Sequence, residues 1–264
     1  MKPAPPVIFT TISDIKTAEL ILTSPANTKT ILLLHGWGAN AKLMLPLGEQ
    51  LHALGYNIYI PDMPGFGESA PPSSAWSVPD YAKWVTEYLD AHGLEQVHLI
   101  GHSFGGRMGL VLGAEYSSRF IKLALADAAG VPNKKPASAD LRLSAYKVVR
   151  DTLYRVGAKG LADNLREKYN ARYASADYKA ASGMMRETFV KVVNQDLRPY
   201  AARVALPTLL FWGDKDEDTP LWQGQELEKL IPDAGLIVYE GAGHYSYLER
   251  LNETVKTVDY FFRN

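Results

Sequence analysis

The sequence predicts an α/β protein, with a mostly parallel sheet flanked by helices on both faces. Short β-branched and apolar runs alternate with helically periodic segments along most of the chain. The composition is globular, 47% hydrophobic and 22% charged over 264 residues, enough for one large domain or two smaller units. The alternation fails once, between about residues 134 and 205, where a helical stretch contains no good strand candidate.

Taken in order, VIFTTI (7–12), ELILTS (19–24) and TILLLHG (30–36) read as strands. No helix separates the first two, so the sheet is expected to open with antiparallel pairing. A helix fits 40–55, interrupted by Pro46, and YNIYIPD (56–62) is the next strand. PDMPGFGES (61–69) reads as structural loop chemistry. In the helix that follows, Val78, Tyr81, Ala82, Val85 and Leu89 share one face, Ser77 is the expected N-cap and Gly93 the stop. QVHLIGH (96–102) is a strand leading into a glycine-rich bend, a helix from Phe104 to about Tyr116 follows, and IKLALADA (121–128) is again a strand. After the helical stretch come the strand PTLLFWGD, the helix PLWQGQELEKLI, the strand AGLIVYEG and a closing helix striped by Leu248, Leu251, Val255, Val258 and Phe262. Residues 1–133 and 206–264 therefore form one core, and 134–205 an inserted helical cap lying over the C-terminal edge of the sheet.

Net charge is −1, so no bulk basic character points to nucleic acid. There is no cysteine, which excludes disulfides, thiolate catalysis and zinc–sulfur sites. The first residues lack the apolar core of a secretory signal, and no apolar run approaches the roughly 18 residues that span a bilayer. The expectation is a cytoplasmic protein with no membrane partner, monomeric or homodimeric. No phosphate-loop or dinucleotide fingerprint is present, so nucleotide binding is not expected; the expected chemistry carries no cofactor and no metal.

The stretch Gly101-His102-Ser103-Phe104-Gly105 joins a strand to a helix. Small neighbours let the two elements approach, which lifts the Ser103 hydroxyl above the sheet and aims the helix N-terminus at it. A serine N-cap with glycines for tight packing is the plainer use of the pattern. A serine hydroxyl needs a base, and six histidines are available. His52 and His92 lie near helix ends, as surface residues; His98 sits inside a strand, packed; His35 and His102, at strand ends, suit hydrogen-bonding support. His244, in EGAGHYSYLE after the last strand, comes from the edge that bears Ser103 and is the expected base. A carboxylate should hold its tautomer, and Asp214, Asp216, Glu217 and Asp218 all follow a strand.

At this point the chain resembles the α/β-hydrolase family, specifically its single-chain members with a helical cap. The likeness runs from about Pro6 to Phe262. Trp212-Gly213-Asp214-Lys215-Asp216-Glu217-Asp218-Thr219-Pro220 resembles the family's W-G-x-x-D-x-x-x-P, which implies Asp216 as the acid. Asp127 is the rival, because some relatives carry the acid after the preceding strand. The resemblance also assigns the loop after His35-Gly36 to an oxyanion hole, with the N–H groups of Trp37 and Phe104 as donors. Dehalogenase and epoxide-hydrolase relatives place an aspartate where this chain has Ser103, and prolyl iminopeptidases typically carry a G-G-S-W-G-S elbow.

What remains is acyl transfer to water by a cofactor-independent carboxylesterase acting on a small or medium ester. Two alternatives stay open: hydrolysis of a carbon–carbon bond in a vinylogous diketone, and a non-catalytic ligand receptor of the same fold. The partner is a small molecule. Between residues 134 and 203 there are 15 Lys and Arg against 7 Asp and Glu, leaving 13 against 22 in the remainder. This charge either docks a basic cap on an acidic core or faces the cleft and favours anionic substrates. Tyr146, Tyr154, Tyr169, Tyr173 and Phe189 either line an acyl pocket or pack between cap helices.

Overall fold

The computed structural model describes residues 5–133, 137–173 and 175–264, without the side chains of 137–141, 170 and 173. The first residues of the expected cap, Lys134 and Lys135, and the side chain of Tyr173 therefore lie outside the described residues.

Strands β1 (Ile8–Ile12) and β2 (Ile15–Leu22) form an antiparallel hairpin in which Ile12 faces Ile15. Its two-residue turn, Ser13-Asp14, has positive φ at both positions (48° and 66°), the twist that suits a tight hairpin. Strands β3 (Lys29–Leu34), β4 (Tyr56–Pro61), β5 (Val97–His102), β6 (Phe120–Ala126), β7 (Thr208–Gly213) and β8 (Ala234–Tyr239) complete the sheet, in the order β1-β2-β4-β3-β5-β6-β7-β8. β2 pairs antiparallel with β4, and every later pair is parallel. The antiparallel opening is thus present, although β2 begins four residues earlier than the sequence suggested.

Parallel strands need crossovers, which place helices on both faces. Alternate residues accordingly enter different cores. Leu32, Leu34, Leu99, Leu123, Leu125, Leu210 and Trp212 pack on one side, Ile31, Leu33, Ile100, Ala124, Ala126 and Phe211 on the other. The first core takes the buried faces of α2 (Val78–Ala91), α3 (Phe104–Glu115) and α9 (Leu221–Leu230), the second those of α1 (Ala41–Ala53) and α11 (Leu251–Arg263).

Pro46 does not end α1: it stands on the exposed side of a helix that continues to Ala53, where the hydrogen bond it cannot donate is lost at the surface rather than in the core. The closing helix, expected as one, is two. Leu248 belongs to a single turn, α10 (Ser246–Glu249), and Arg250 (φ −116°, ψ 39°) breaks the run before α11. His92 is no surface residue either. Its Nε2 lies 2.7 Å from Glu19 Oε2, and the same buried carboxylate accepts from Thr10 Oγ1 (2.5 Å) and from the Tyr88 hydroxyl. A buried carboxylate needs such partners, and His92 is drawn inward as one of them.

Between β6 and β7 the chain forms α4 (Ala137–Arg155), α5 (Lys159–Tyr173), α6 (Ala176–Ala180), α7 (Gly183–Asn194) and α8 (Arg198–Ala201), with no strand among the described residues. α4 and α5 pair through the stacked rings of Tyr146 and Tyr169, 3.9 Å between centroids. α7 is tied to the rest of the chain. Trp76 N–H donates to Thr188 Oγ1 (3.2 Å), Val78 N–H to Gln195 Oε1 (3.1 Å), and the buried Arg107 guanidinium to the Val192 carbonyl (2.9 Å). Parallel pairing brings the C-terminal ends of β3, β5, β6, β7 and β8 to one edge of the sheet. The loops after these five strands bear Trp37, Ser103, Asp127, Asp216 and His244.

Candidate active site

Ser103 occupies a backbone conformation that non-glycine residues rarely adopt, φ 49° and ψ −102°. The bend is held from both sides, by Ser103 N–H donating to the Ala126 carbonyl (3.0 Å) and Gly105 N–H to the His35 carbonyl (3.1 Å). Glycine at 105 is obligatory here, because a Cβ would overlap the Leu34 carbonyl oxygen of the neighbouring strand. Strain of this kind persists only where surrounding contacts over-determine it, and it concentrates at functional positions.

His244 Nε2 lies 3.0 Å from Ser103 Oγ, and its Nδ1 lies 2.8 Å from Asp216 Oδ2. An ionised carboxylate can only accept, so Nδ1 carries the proton and Nε2 is left to accept from the serine hydroxyl. Asp216 is further held by Thr219 Oγ1 (2.6 Å to Oδ2) and by the N–H groups of Asp218 and Thr219 (2.9 Å each to Oδ1). Burial works against the charge on both partners. For His244 the hydrogen bond and charge of Asp216 outweigh that cost and hold the imidazole above its ordinary pKa. For Asp216 the His244 and Thr219 hydrogen bonds likewise win, and its carboxyl sits below the ordinary value. Such an array can take a proton from a hydroxyl and return it to a leaving group.

Asp127, the rival acid, is fully buried, and its carboxylate hydrogen bonds go to other partners than the imidazole. Its Oδ1 accepts from Gly213 N–H (3.0 Å), its Oδ2 from Ser246 N–H (3.0 Å) and Ser246 Oγ (2.7 Å). It thereby ties the loop that bears Asp216 to the loop that bears His244. Burial pushes its carboxyl up to about 7.

Trp37 follows β3 and Phe104 opens α3, with ring centroids 5.2 Å apart. Among the described residues neither backbone N–H has a partner, which leaves both free for a ligand. The Phe189 ring of α7 lies across Trp37, 5.1 Å between centroids. The histidines at strand ends do support this edge. His35 donates from Nδ1 to the Gly36 carbonyl (2.8 Å) and accepts the Met63 N–H at Nε2 (3.0 Å). His102 donates from Nε2 to the His244 carbonyl (2.8 Å), and burial pushes its pKa down to about 3, so it stays neutral. His98 is packed, stacked on Phe262 at 4.2 Å.

Thr219 and Ser246 escaped the sequence reading. Thr219 lies inside the W-G-x-x-D-x-x-x-P stretch, so its position carried a signal; Ser246 had none. Among the described residues, Asp216, Asp218 and His244 bring donor atoms within 4.8 Å of one another. Both Asp216 oxygens are already engaged by protein donors, as above, so this is a hydrogen-bonded relay rather than an open ligand shell.

The neutral His102 ring leads to a test. A Cβ on Gly36 would stand 2.9 Å from His102 Nδ1 and 3.5 Å from Ser103 Cβ. Gly36→Ala is expected to displace the His102 ring, which holds the His244 carbonyl, and to lower kcat about tenfold or more, since small misplacements of catalytic groups are costly. Steady-state kinetics alongside a melting curve separates this from unfolding, and an unchanged kcat would contradict it.

The sequence matches the alpha/beta hydrolase fold family over residues 29–251. Lipase 1 of Psychrobacter immobilis is 29% identical over 245 residues, covering 85% of this chain and 74% of the lipase. A 2-hydroxy-6-oxononadienedioate/2-hydroxy-6-oxononatrienedioate hydrolase of Dechloromonas aromatica is 28% identical over 247 residues, covering 86% and 84%. Among solved structures, a bacterial membrane phospholipase A superposes with a TM-score of 0.73 at 26% identity, covering 98% of this chain and 86% of that one. With a family match over most of its length, the mostly parallel eight-stranded sheet and relatives that are lipases and hydrolases, the chain belongs to the alpha/beta hydrolase fold family and is a hydrolase.

Proposed function

We propose that the protein hydrolyses a carboxylic ester through an acyl-enzyme, beneath a cap formed by residues 134–205. The observation that carries this reading is the continuous hydrogen-bond chain from Ser103 through His244 to Asp216. Ser103 Oγ attacks the ester carbonyl while its proton passes to His244 Nε2. The N–H groups of Trp37 and Phe104 receive the developing oxyanion, a contribution of roughly 3 kcal/mol for each well-placed donor. As the tetrahedral intermediate collapses, the carbon–oxygen bond to the alcohol breaks and the imidazolium proton leaves with it. Water then repeats the sequence on the acyl-serine: its proton goes to His244, its oxygen to the carbonyl, and the acid departs as Ser103 recovers its proton. A fluorophosphonate probe should label Ser103, and p-nitrophenyl esters should turn over repeatedly. Labelling without turnover would point instead to a ligand receptor.

One observation favours a second reading. The relative from Dechloromonas aromatica, named for cleavage of oxo-diene-dioates, is nearly as similar as the lipase. The same serine machinery would then cleave a carbon–carbon bond in an anionic vinylogous diketone. An assay with such a substrate beside the esters separates the two.

An anionic substrate also has a candidate cation. Arg186 of α7 lies over the Tyr178 ring (5.2 Å), and Tyr178 approaches Phe189 (6.4 Å), which touches Trp37. Arg186 and Tyr178 line a groove of about 430 Å³. If Arg186 receives a substrate carboxylate, a succinate-type ester should gain in kcat/KM over a neutral ester of equal size at low salt. That advantage should shrink as the Debye length falls from roughly 30 Å at 0.01 M to about 8 Å near 0.15 M. It should also vanish in Arg186→Met. Parallel salt curves for the two esters would mean that the cap charge selects nothing.

A further inference from the structure

The outer side of α4 breaks the pattern expected of a surface helix. At about 100° per residue, Ala145, Val148, Val149, Thr152 and Val156 fall within one arc of roughly 100°. Val156 lies just past the helix end and still donates to the Thr152 carbonyl. The opposite side, with Tyr146 and Tyr154, meets α5, where the Tyr154 hydroxyl donates to Asp163 (2.7 Å). Among the described residues the outer arc is open: Val148, Val149 and Val156, with Leu161 across the turn, are 51 to 70% exposed. A face this apolar normally has a partner.

Charge indicates which. From Arg142 to Arg172 there are eight Lys and Arg against three Asp and Glu. Arg155, Lys159 and Lys168 are exposed and form no ion pair among the described residues. A second copy docked about a two-fold axis would set this positive surplus against itself. An acyl-lipid surface with anionic headgroups satisfies both halves of the pattern: valines enter the acyl boundary while lysine and arginine heads stay among the phosphates. The negative surplus on the rest of the chain orients the molecule in the same sense, with the α4–α5 pair leading toward a negative surface.

We propose that the α4–α5 hairpin docks the protein on a bilayer carrying anionic lipid, through Val148, Val149, Val156 and Leu161 and the cations beside them. This is a peripheral contact, compatible with the finding that no described helix is long and apolar enough to cross a membrane. It does not depend on the chemistry proposed for Ser103, so it is tested on Ser103→Ala protein, whose binding is independent of turnover.

The full chain is sedimented with vesicles of phosphatidylcholine alone and of phosphatidylcholine mixed with phosphatidylglycerol. Binding is expected to the mixed vesicles and to weaken between 0.01 and 0.15 M salt, concentrations at which the Debye length falls from roughly 30 to about 8 Å. Arg155→Glu with Lys159→Glu, and separately Val148→Asp with Val156→Asp, should each reduce it about tenfold or more. Introduced separately into the parent chain with Ser103 intact, both pairs of substitutions should keep the hydrolysis of a soluble ester and the melting temperature, since the altered side chains are exposed. No binding, equal binding to both vesicle types, or variants that bind like the parent would each overturn the proposal. So would a dimer in solution that Val148→Asp converts to monomer, because the face would then belong to a second copy.

Discussion

Replacing Ser103 by alanine is expected to lower kcat for ester hydrolysis by about 10⁴-fold or more, and His244→Ala by a similar factor. The double variant should be no worse than either single one. The hydroxyl and the imidazole share one proton across 3.0 Å, and neither performs its half without the other. Residual hydrolysis above the uncatalysed rate should survive, since the N–H groups at Trp37 and Phe104 belong to the backbone and outlast both substitutions. The measurement is kcat on purified variants whose circular dichroism matches the parent. Substantial turnover by folded Ser103→Ala protein would remove the serine mechanism altogether.

The second large effect separates two aspartates. Asp216→Asn should reduce kcat by about 10⁴-fold, because an amide at 2.8 Å from Nδ1 favours the wrong imidazole tautomer. Asp127→Asn should cost far less, roughly tenfold, by setting an amide N–H₂ against Ser246 N–H and loosening one loop tie. Their pH profiles should also differ. The base must be neutral to act, so kcat/KM falls as pH drops through the His244 pKa, which Asp216 holds above 6.5. Without that carboxylate, burial is opposed only by the weaker charges of Asp127 and Asp218, and the acid limb should move to lower pH. Should Asp127→Asn prove the crippled variant, the acid assignment moves to the end of β6.

How far the sequence foretold this site depended on the range of each interaction. Ser103, Asp216 and His244 stand in local patterns that name their own turn or strand end, and parallel pairing brings those ends to one edge. The helical segment between β6 and β7 was legible only as a failure of alternation, because helical periodicity says nothing of what each face meets. Thus Phe189 reads as any buried aromatic in α7, and its contact with Trp37 belongs to the tertiary structure alone. Glu19 and His92, separated by 73 positions, carried no mark of their pairing. Arg250 interrupts the last helical stripe through its backbone angles, while Leu248 and Leu251 keep an unbroken apolar rhythm across it.

The depth at which Asp127 lies gives the folding of this chain one proton-binding step at that carboxyl, set against the protons that buried His35, His98 and His102 give up. Its carboxyl titrates near 3.8 when solvated and near 7 in the fold, so between those values the unfolded chain is ionised there and the folded chain is not. A raised pKa of this sign supports the fold fully below 3.8, and that support is lost as pH rises through about 7. The loops at Gly213 and Ser246 must therefore be held by two chemical species across that window. The Ser246 hydroxyl suits both, since it can donate to the carboxylate and, by rotating about its C–O bond, accept from the acid. Calorimetric unfolding in buffers of unequal ionisation heat reads the net proton change, and Asp127→Asn should make it differ from the parent by up to one proton between about pH 4 and 7.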